Sequence, residues 1–244
     1  MNIVCIIQAR IGSTRLPGKV LKEICGKTVL EHDIDRLKRV KNIDEIVIAT
    51  TTLEKDNVIV NEAKRLGVKI FRGSEENVLS RYYYAAKESN AEVIVRVTSD
   101  CPLIDSEITE GIIQYFVDNN SKYDYVSNTI KRTYPRGLDT EVFSSDALKK
   151  AFNEATLDSN KEHVTPYIWS NPNIFRLGYF MNNIDYSDLR WTLDTEEDFE
   201  LINRIYKHLY IKKNNEFNMN DIIDLYNRYP ELREINKNIT QKKI

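Results

Sequence analysis

Short β-branched runs alternate with longer amphipathic stretches through the first half of this chain, and few folds accommodate that alternation. Residues 3–7 read Ile-Val-Cys-Ile-Ile, apolar at every position, as expected of a strand covered on both faces of a parallel sheet. Similar runs at 45–49, 68–71 and 93–97 are separated by helical patterns at 29–39, 55–66 and 77–89, with another at 108–119. The order is that of repeated βαβ units, which predicts an α/β fold around a mostly parallel sheet.

Beyond Tyr123 the alternation weakens. Strand-like pieces at 125–127, 140–143 and 175–180 mix with helical patterns at 145–154, 160–169, 195–207 and 219–227. The Lys/Asn-rich end, 235–244, is expected to fray. No repeat, low-complexity tract or linker divides the chain, so residues 1–244 are expected to form a single domain.

Composition excludes several classes of function. A net charge of −2 supplies no basic field for nucleic acid or an anionic membrane. Cys5, Cys25 and Cys101 are widely spaced, which suits reduced thiols and neither a disulfide framework nor a zinc site. The sequence opens in a strand without a signal-like segment, and no apolar run approaches membrane-spanning length, so a cytoplasmic location is expected.

Ligands of open α/β sheets bind beyond the carboxyl ends of the strands, which is where Gln8 to Lys19 fall. In that loop Gly12 and Gly18 permit close backbone approach and positive φ, while Ser13 and Thr14 add donors. Arg10 and Arg15 offer planar forks for phosphate oxygens, and Lys19 a mobile point charge. The loop matches neither the Walker pattern nor Gly-x-Gly-x-x-Gly, and by itself it also reads as an ordinary turn. Asp100 follows the 93–97 run and so enters the same crevice. Asp194 precedes the acidic start Thr195-Glu196-Glu197, and spacing alone favours a helix N-cap there.

Taken together, Gln8-Ala9-Arg10-x-Gly12-Ser13-x-Arg15-Leu16-Pro17-Gly18-Lys19 resembles the first motif of the acylneuraminate/3-deoxy-manno-octulosonate cytidylyltransferase family. Phe71 to Ser74, Arg81 to Tyr83, Thr98 to Leu103, Tyr134 to Asp139, Glu162 to Tyr167 and Leu193 to Asp198 are similar to its SpsF branch, named for spore coat polysaccharide biosynthesis. The resemblance implies a nucleotide-diphospho-sugar transferase-like three-layer sandwich. It also implies transfer of CMP from CTP to a sugar or sugar-acid acceptor, with release of pyrophosphate.

Carried onto this sequence, the resemblance makes Arg10, Arg15, Lys19 and Asp100 the catalytic candidates. Gln8, Ala9, Gly12, Ser13, Arg72 and Ser99 would join them around the nucleotide, and Asp100 and Asp194 would hold Mg²⁺. Arg81, Arg136, Asp139, Glu141 and His163 are the acceptor-binding candidates. Residues 1–122 would mainly bind the nucleotide, and 123–234 would supply the acceptor site and a dimerisation surface, homodimers being common among such relatives. Tyr82, Tyr83 and Tyr84 read as one packing ring plus exposed ones, and Trp169 and Trp191 as core.

Overall fold

The computed structural model describes residues 1–241. Its centre is β1 (Ile3–Gln8), flanked by β4 (Glu45–Thr51) and β6 (Val93–Thr98), with both neighbours parallel to it. β5 (Lys69–Gly73) extends the sheet beyond β4, and β8 (Glu141–Ser144), β7 (Tyr125–Ser127) and β9 (Leu177–Tyr179) extend it beyond β6. The order is β5-β4-β1-β6-β8-β7-β9, and β8 alone runs antiparallel to its neighbours. A small separate hairpin joins β2 (Glu23–Ile24) and β3 (Lys27–Thr28).

The alternation of β1 explains the layers. Ile3, Cys5 and Ile7 pack against α1 (Val29–Leu37), α2 (Asn57–Leu66) and α4 (Ser106–Asp118). Val4 and Ile6 face α3 (Val78–Glu88), α5 (Ser145–Glu154) and α7 (Pro166–Trp169). A third cluster surrounds the fully buried Trp191 and joins α8 (Glu196–Lys213) to α9 (Met219–Arg228). The result is a three-layer α/β sandwich with a mostly parallel mixed sheet, of the nucleotide-diphospho-sugar transferase-like type.

Helix starts follow their caps. Thr28 Oγ1 accepts from the Glu31 amide at 3.0 Å, and Asn77 Oδ1 from the Ser80 amide at 2.9 Å. Asn77 therefore precedes α3 as its cap. Asp194 is not a cap: Thr195 fills that place, forming a capping box with Asp198. The single helix expected over 160–169 is two, α6 (Asp158–His163) and α7. Pro166 lacks the amide needed to continue the first, and Val164 between them has φ 72°. α8 runs past the expected end because its apolar stripe continues to Leu209.

The chain end also departs from expectation. Asn236 is 5% exposed and donates to Asp198 Oδ1 and the Arg190 carbonyl, and Gln241 accepts from Arg190. Residues 242–244 lie outside the described residues. Tyr82 is buried and Tyr84 exposed, while Trp191 is core and Trp169 is partly buried against the separate cluster beneath α3 and α5. Among the described residues no helix is long and apolar enough to cross a membrane.

Candidate active site

Gln8 pairs with Thr98 across β1 and β6, so both strands end level and their following loops open on one side of the sheet. There a cavity of about 980 Å³ is lined by the β1 loop, the segments after β5 and β6, part of α6, and Asp194. The β1 loop is folded upon itself. The Ser13 amide donates to the Ile11 carbonyl at 2.8 Å, the Gly18 amide to the same carbonyl at 3.2 Å, and the Ile11 amide to Asp56 Oδ1 at 2.8 Å. Gly18 has φ 69°, the left-handed conformation anticipated for it, whereas Gly12 is not left-handed. Leu16 anchors the loop in the α8–α9 cluster.

This folding presents the three cations. Arg10 and Arg15 keep 45% and 38% of their side chains exposed, whereas Lys19 keeps 12%. Lys19 Nζ donates to Asp100 Oδ2 at 2.8 Å, Asp194 Oδ1 at 2.8 Å and the Leu193 carbonyl at 2.7 Å. Arg15 reaches Asp194 Oδ2 at 2.9 Å, and Arg190 reaches the same oxygen at 2.8 Å. Thr98 Oγ1 donates to Asp100 Oδ1 at 2.6 Å. The two carboxylate-bearing segments are stitched together by the Leu193 amide, which donates to the Asp100 carbonyl at 2.8 Å.

The electrostatics follow from these contacts. Burial acts to raise the Asp100 carboxyl, but the Lys19 ammonium and the Lys19, Thr98 and Cys101 hydrogen bonds outweigh it and hold the group below the usual carboxylate range. Burial acts to lower Lys19, and the two aspartates reverse that and raise it. Asp33 on α1 is different. Both its oxygens are buried without a partner among the described residues, and burial, then the Asp100 charge, push it well above its usual value.

Gln8, Ala9, Arg10, Gly12, Ser13, Arg15, Lys19, Ser99, Asp100 and Asp194 all line the cavity, as do Arg81 and His163. Arg81 is 2% exposed, and its Nε and Nη1 have no hydrogen-bond partner among the described residues. Four expected residues stand elsewhere. Arg72 spends its fork on the connection after β4, donating to the Thr51 and Leu53 carbonyls and to Asn57 Oδ1. Asp139 takes both nitrogens of Arg132, at 2.6 and 2.9 Å. Glu141, 4% exposed, pairs with Arg96 and accepts from Tyr125 and Thr165. Arg136 bridges by its backbone to the 189–191 strand-like stretch, and its side chain lines none of the cavity.

Other lining residues were not anticipated. Ser74, Glu75, Glu76 and Asn77 follow β5, so the rule that singled out the loops after β1 and β6 points to them too. Asp158, Lys161 and Glu162 come from α6, which the strand-end rule does not reach, although Glu162 opens the Glu162 to Tyr167 motif. Arg190, which holds Asp194 from behind, was also unforeseen.

Among the described residues no three His, Cys, Asp or Glu side chains gather as a metal centre. The donor set is the Asp100 and Asp194 pair with the Leu193 carbonyl, already gathered around one ammonium. An all-oxygen set of that kind suits a hard divalent cation.

The fold is thus a nucleotide-diphospho-sugar transferase-like sandwich, with three cations of one loop meeting two carboxylates at the carboxyl end of its sheet. A family profile described as Cytidylyltransferase matches residues 4–235, and the chain belongs to that family. It is 41% identical to an uncharacterized protein of Methanocaldococcus jannaschii over 99% of this chain and 97% of that one. It is 34% identical to the spore coat polysaccharide biosynthesis protein SpsF of Bacillus subtilis over 94% of this chain and 96% of that one. A solved cytidylyltransferase from Leptospira borgpetersenii superposes with a TM-score of 0.92 at 35% identity, each chain covered completely.

Proposed function

We propose that the protein transfers CMP from CTP to a sugar or sugar-acid acceptor and releases pyrophosphate, as a step in making a surface or spore-coat polysaccharide. One observation carries the reading: Arg10, Arg15 and Lys19 project from a single loop into a cavity whose other wall holds Asp100 and Asp194. Membership of the cytidylyltransferase family supports cytidine as the base, and the name of the Bacillus relative supports the polysaccharide setting.

Nucleotidyl transfer needs little covalent chemistry from a protein; positioning and charge neutralisation dominate. The acceptor oxygen forms a bond to the α-phosphorus as the bond to the bridging oxygen of pyrophosphate breaks, and the acceptor proton passes to solvent. Arg10, Arg15 and Lys19 offset charge on the triphosphate, two by planar forks and one as a point charge. Asp100 and Asp194 would hold Mg²⁺, which when bound supplies charge neutralisation at the phosphate oxygens. His163 and Arg81 line the same cavity and are assigned to the acceptor. No serine or cysteine nucleophile is required; Cys101 is buried and burial raises its thiol far above its usual range.

The test is thermal stabilisation by CTP, GTP, UTP and ATP, each with and without Mg²⁺, since a ligand that binds the folded state raises its apparent stability. A CTP-selective, Mg²⁺-dependent rise in midpoint supports the reading. Stabilisation by nucleoside diphosphate sugars alone would overturn it in favour of a glycosyltransferase.

A further inference from the structure

The ammonium of Lys19 is gripped as a metal ion would be. Three oxygens converge on it, one from each carboxylate at 2.8 Å and the Leu193 carbonyl at 2.7 Å. The two carboxylates differ in what else supports them. Asp194 keeps Arg15 and Arg190 besides Lys19. Among the described residues Asp100 has no second cation; its other oxygen takes the Thr98 hydroxyl at 2.6 Å and the Cys101 thiol at 3.6 Å.

The cations differ as well. Arg190 is 8% exposed and locked onto Asp198 at 3.0 Å through two nitrogens, so it cannot leave cheaply. Lys19 is a point charge on a flexible four-carbon stem, set in the same cavity as the two arginines that would attract a triphosphate. A phosphate that draws the ammonium away strips Asp100 of its counter-charge. A largely buried carboxylate without a counter-charge is costly, so the vacated position calls for another cation.

We infer that Lys19 and a divalent cation are alternative occupants of this one three-oxygen site, and that the nucleotide's phosphates decide between them. The inference rests on the nucleotide reading of the cavity. Without nucleotide, Lys19 closes the site to metal. With it, Lys19 turns to phosphate and the two aspartates take the metal, so triphosphate and cation strengthen each other's binding by linkage. The protein is thereby kept from collecting a metal ion before its nucleotide.

The probe is Mn²⁺, titrated into nucleotide-free protein and followed by the electron paramagnetic resonance signal of the free ion. Lys19→Met is expected to bind Mn²⁺ at least about tenfold more tightly than wild type, within the usual range of coupling between sites. Lys19→Met/Asp100→Asn is expected to lose that gain. Equal affinity in wild type and Lys19→Met, or a gain that survives in the double variant, would overturn the exchange. If Lys19→Met does not fold, Lys19→Gln, which keeps a donor for the carboxylates, supplies the same comparison. The nucleotide's part is read in EDTA: Asp100→Asn should bind CTP more tightly than wild type, and the gain should shrink in the Lys19→Met background. A gain that is absent, or equal in both backgrounds, counts against the exchange. The Mn²⁺ titrations contain no nucleotide, so their failure leaves the CTP reading intact. Failure of wild type to bind CTP at all would overturn that reading while leaving the Mn²⁺ result standing.

Discussion

Arg190 lays two nitrogens of its fork on Asp198, each at 3.0 Å, and Nη2 of the same fork reaches Asp194 at 2.8 Å. Asp198 is fully buried and also accepts from the Asp194 and Thr195 amides and from Asn236. A capping residue of α8 therefore fixes a carboxylate that lines the candidate site. Asp198→Ala leaves Arg190 buried with one partner fewer, and it is expected to cost about 3–5 kcal/mol of stability, read as a lower urea midpoint. A loss under about 1 kcal/mol would show that the arrangement carries no such weight.

Arg72 gives the converse case. Its three hydrogen bonds all serve the connection between β4 and α2. Arg72→Ala should lower stability by about 1–2 kcal/mol. It should leave CTP affinity within about threefold of wild type, measured by calorimetry.

Asp33 sets a pH dependence. Burial and the nearby Asp100 charge raise its folded pKa above the unfolded value, so folding above the unfolded pKa is coupled to proton uptake. Its contribution is most favourable below the unfolded pKa of about 3.9 and is lost as pH rises above it. Asp33→Asn removes the proton uptake. The variant should be more stable than wild type at pH 7, and the advantage should shrink as pH falls from 7 towards the unfolded pKa of about 4 and be gone below it. Urea unfolding at several pH values reads this directly, and a pH-independent difference would contradict it.

Gly137 has φ 100°, and a Cβ there would stand 2.5 Å from the Trp191 carbonyl carbon. This close approach seats the stretch that leads to Asp194, because the Trp191 amide donates to the Arg136 carbonyl. Gly137→Ala combines strain with overlap and is expected to cost about 2–3 kcal/mol, with weaker CTP binding because the 190–194 stretch must shift. An unchanged melting temperature would contradict this.

The sequence was most readable where burial is symmetrical. β1, β4 and β6 lie under helices on both faces, so each carries a mostly apolar run that stands out, Arg96 in β6 being the exception inside one. β7, β8 and β9 are only three or four residues long, and such pieces cannot be told from loops by periodicity. The site divides in the same way. Gln8 to Lys19 and Asp100 were found by one topological rule, because they follow central strands. Asp194 reaches them from a segment 94 positions beyond Asp100, where spacing suggested a cap and the family resemblance suggested a ligand. Glu141 and Asp139 fall in polar turns after strand-like runs, which made them candidates for the acceptor pocket; Glu141 instead pairs with Arg96 from β6, 45 positions away, and Asp139 with Arg132 in its own connection. Residue order carries no record of such pairings.

The most direct measurement is pyrophosphate release from CTP in the presence of a panel of acidic and phosphorylated sugars, for wild type and Lys19→Met. The account predicts release from CTP that requires one of those acceptors, and a fall of about 10²–10³-fold in Lys19→Met, the scale for removing one group that stabilises transition-state charge. Full release by Lys19→Met, or no pyrophosphate from CTP while a nucleoside diphosphate sugar is consumed with release of the nucleoside diphosphate, would contradict it.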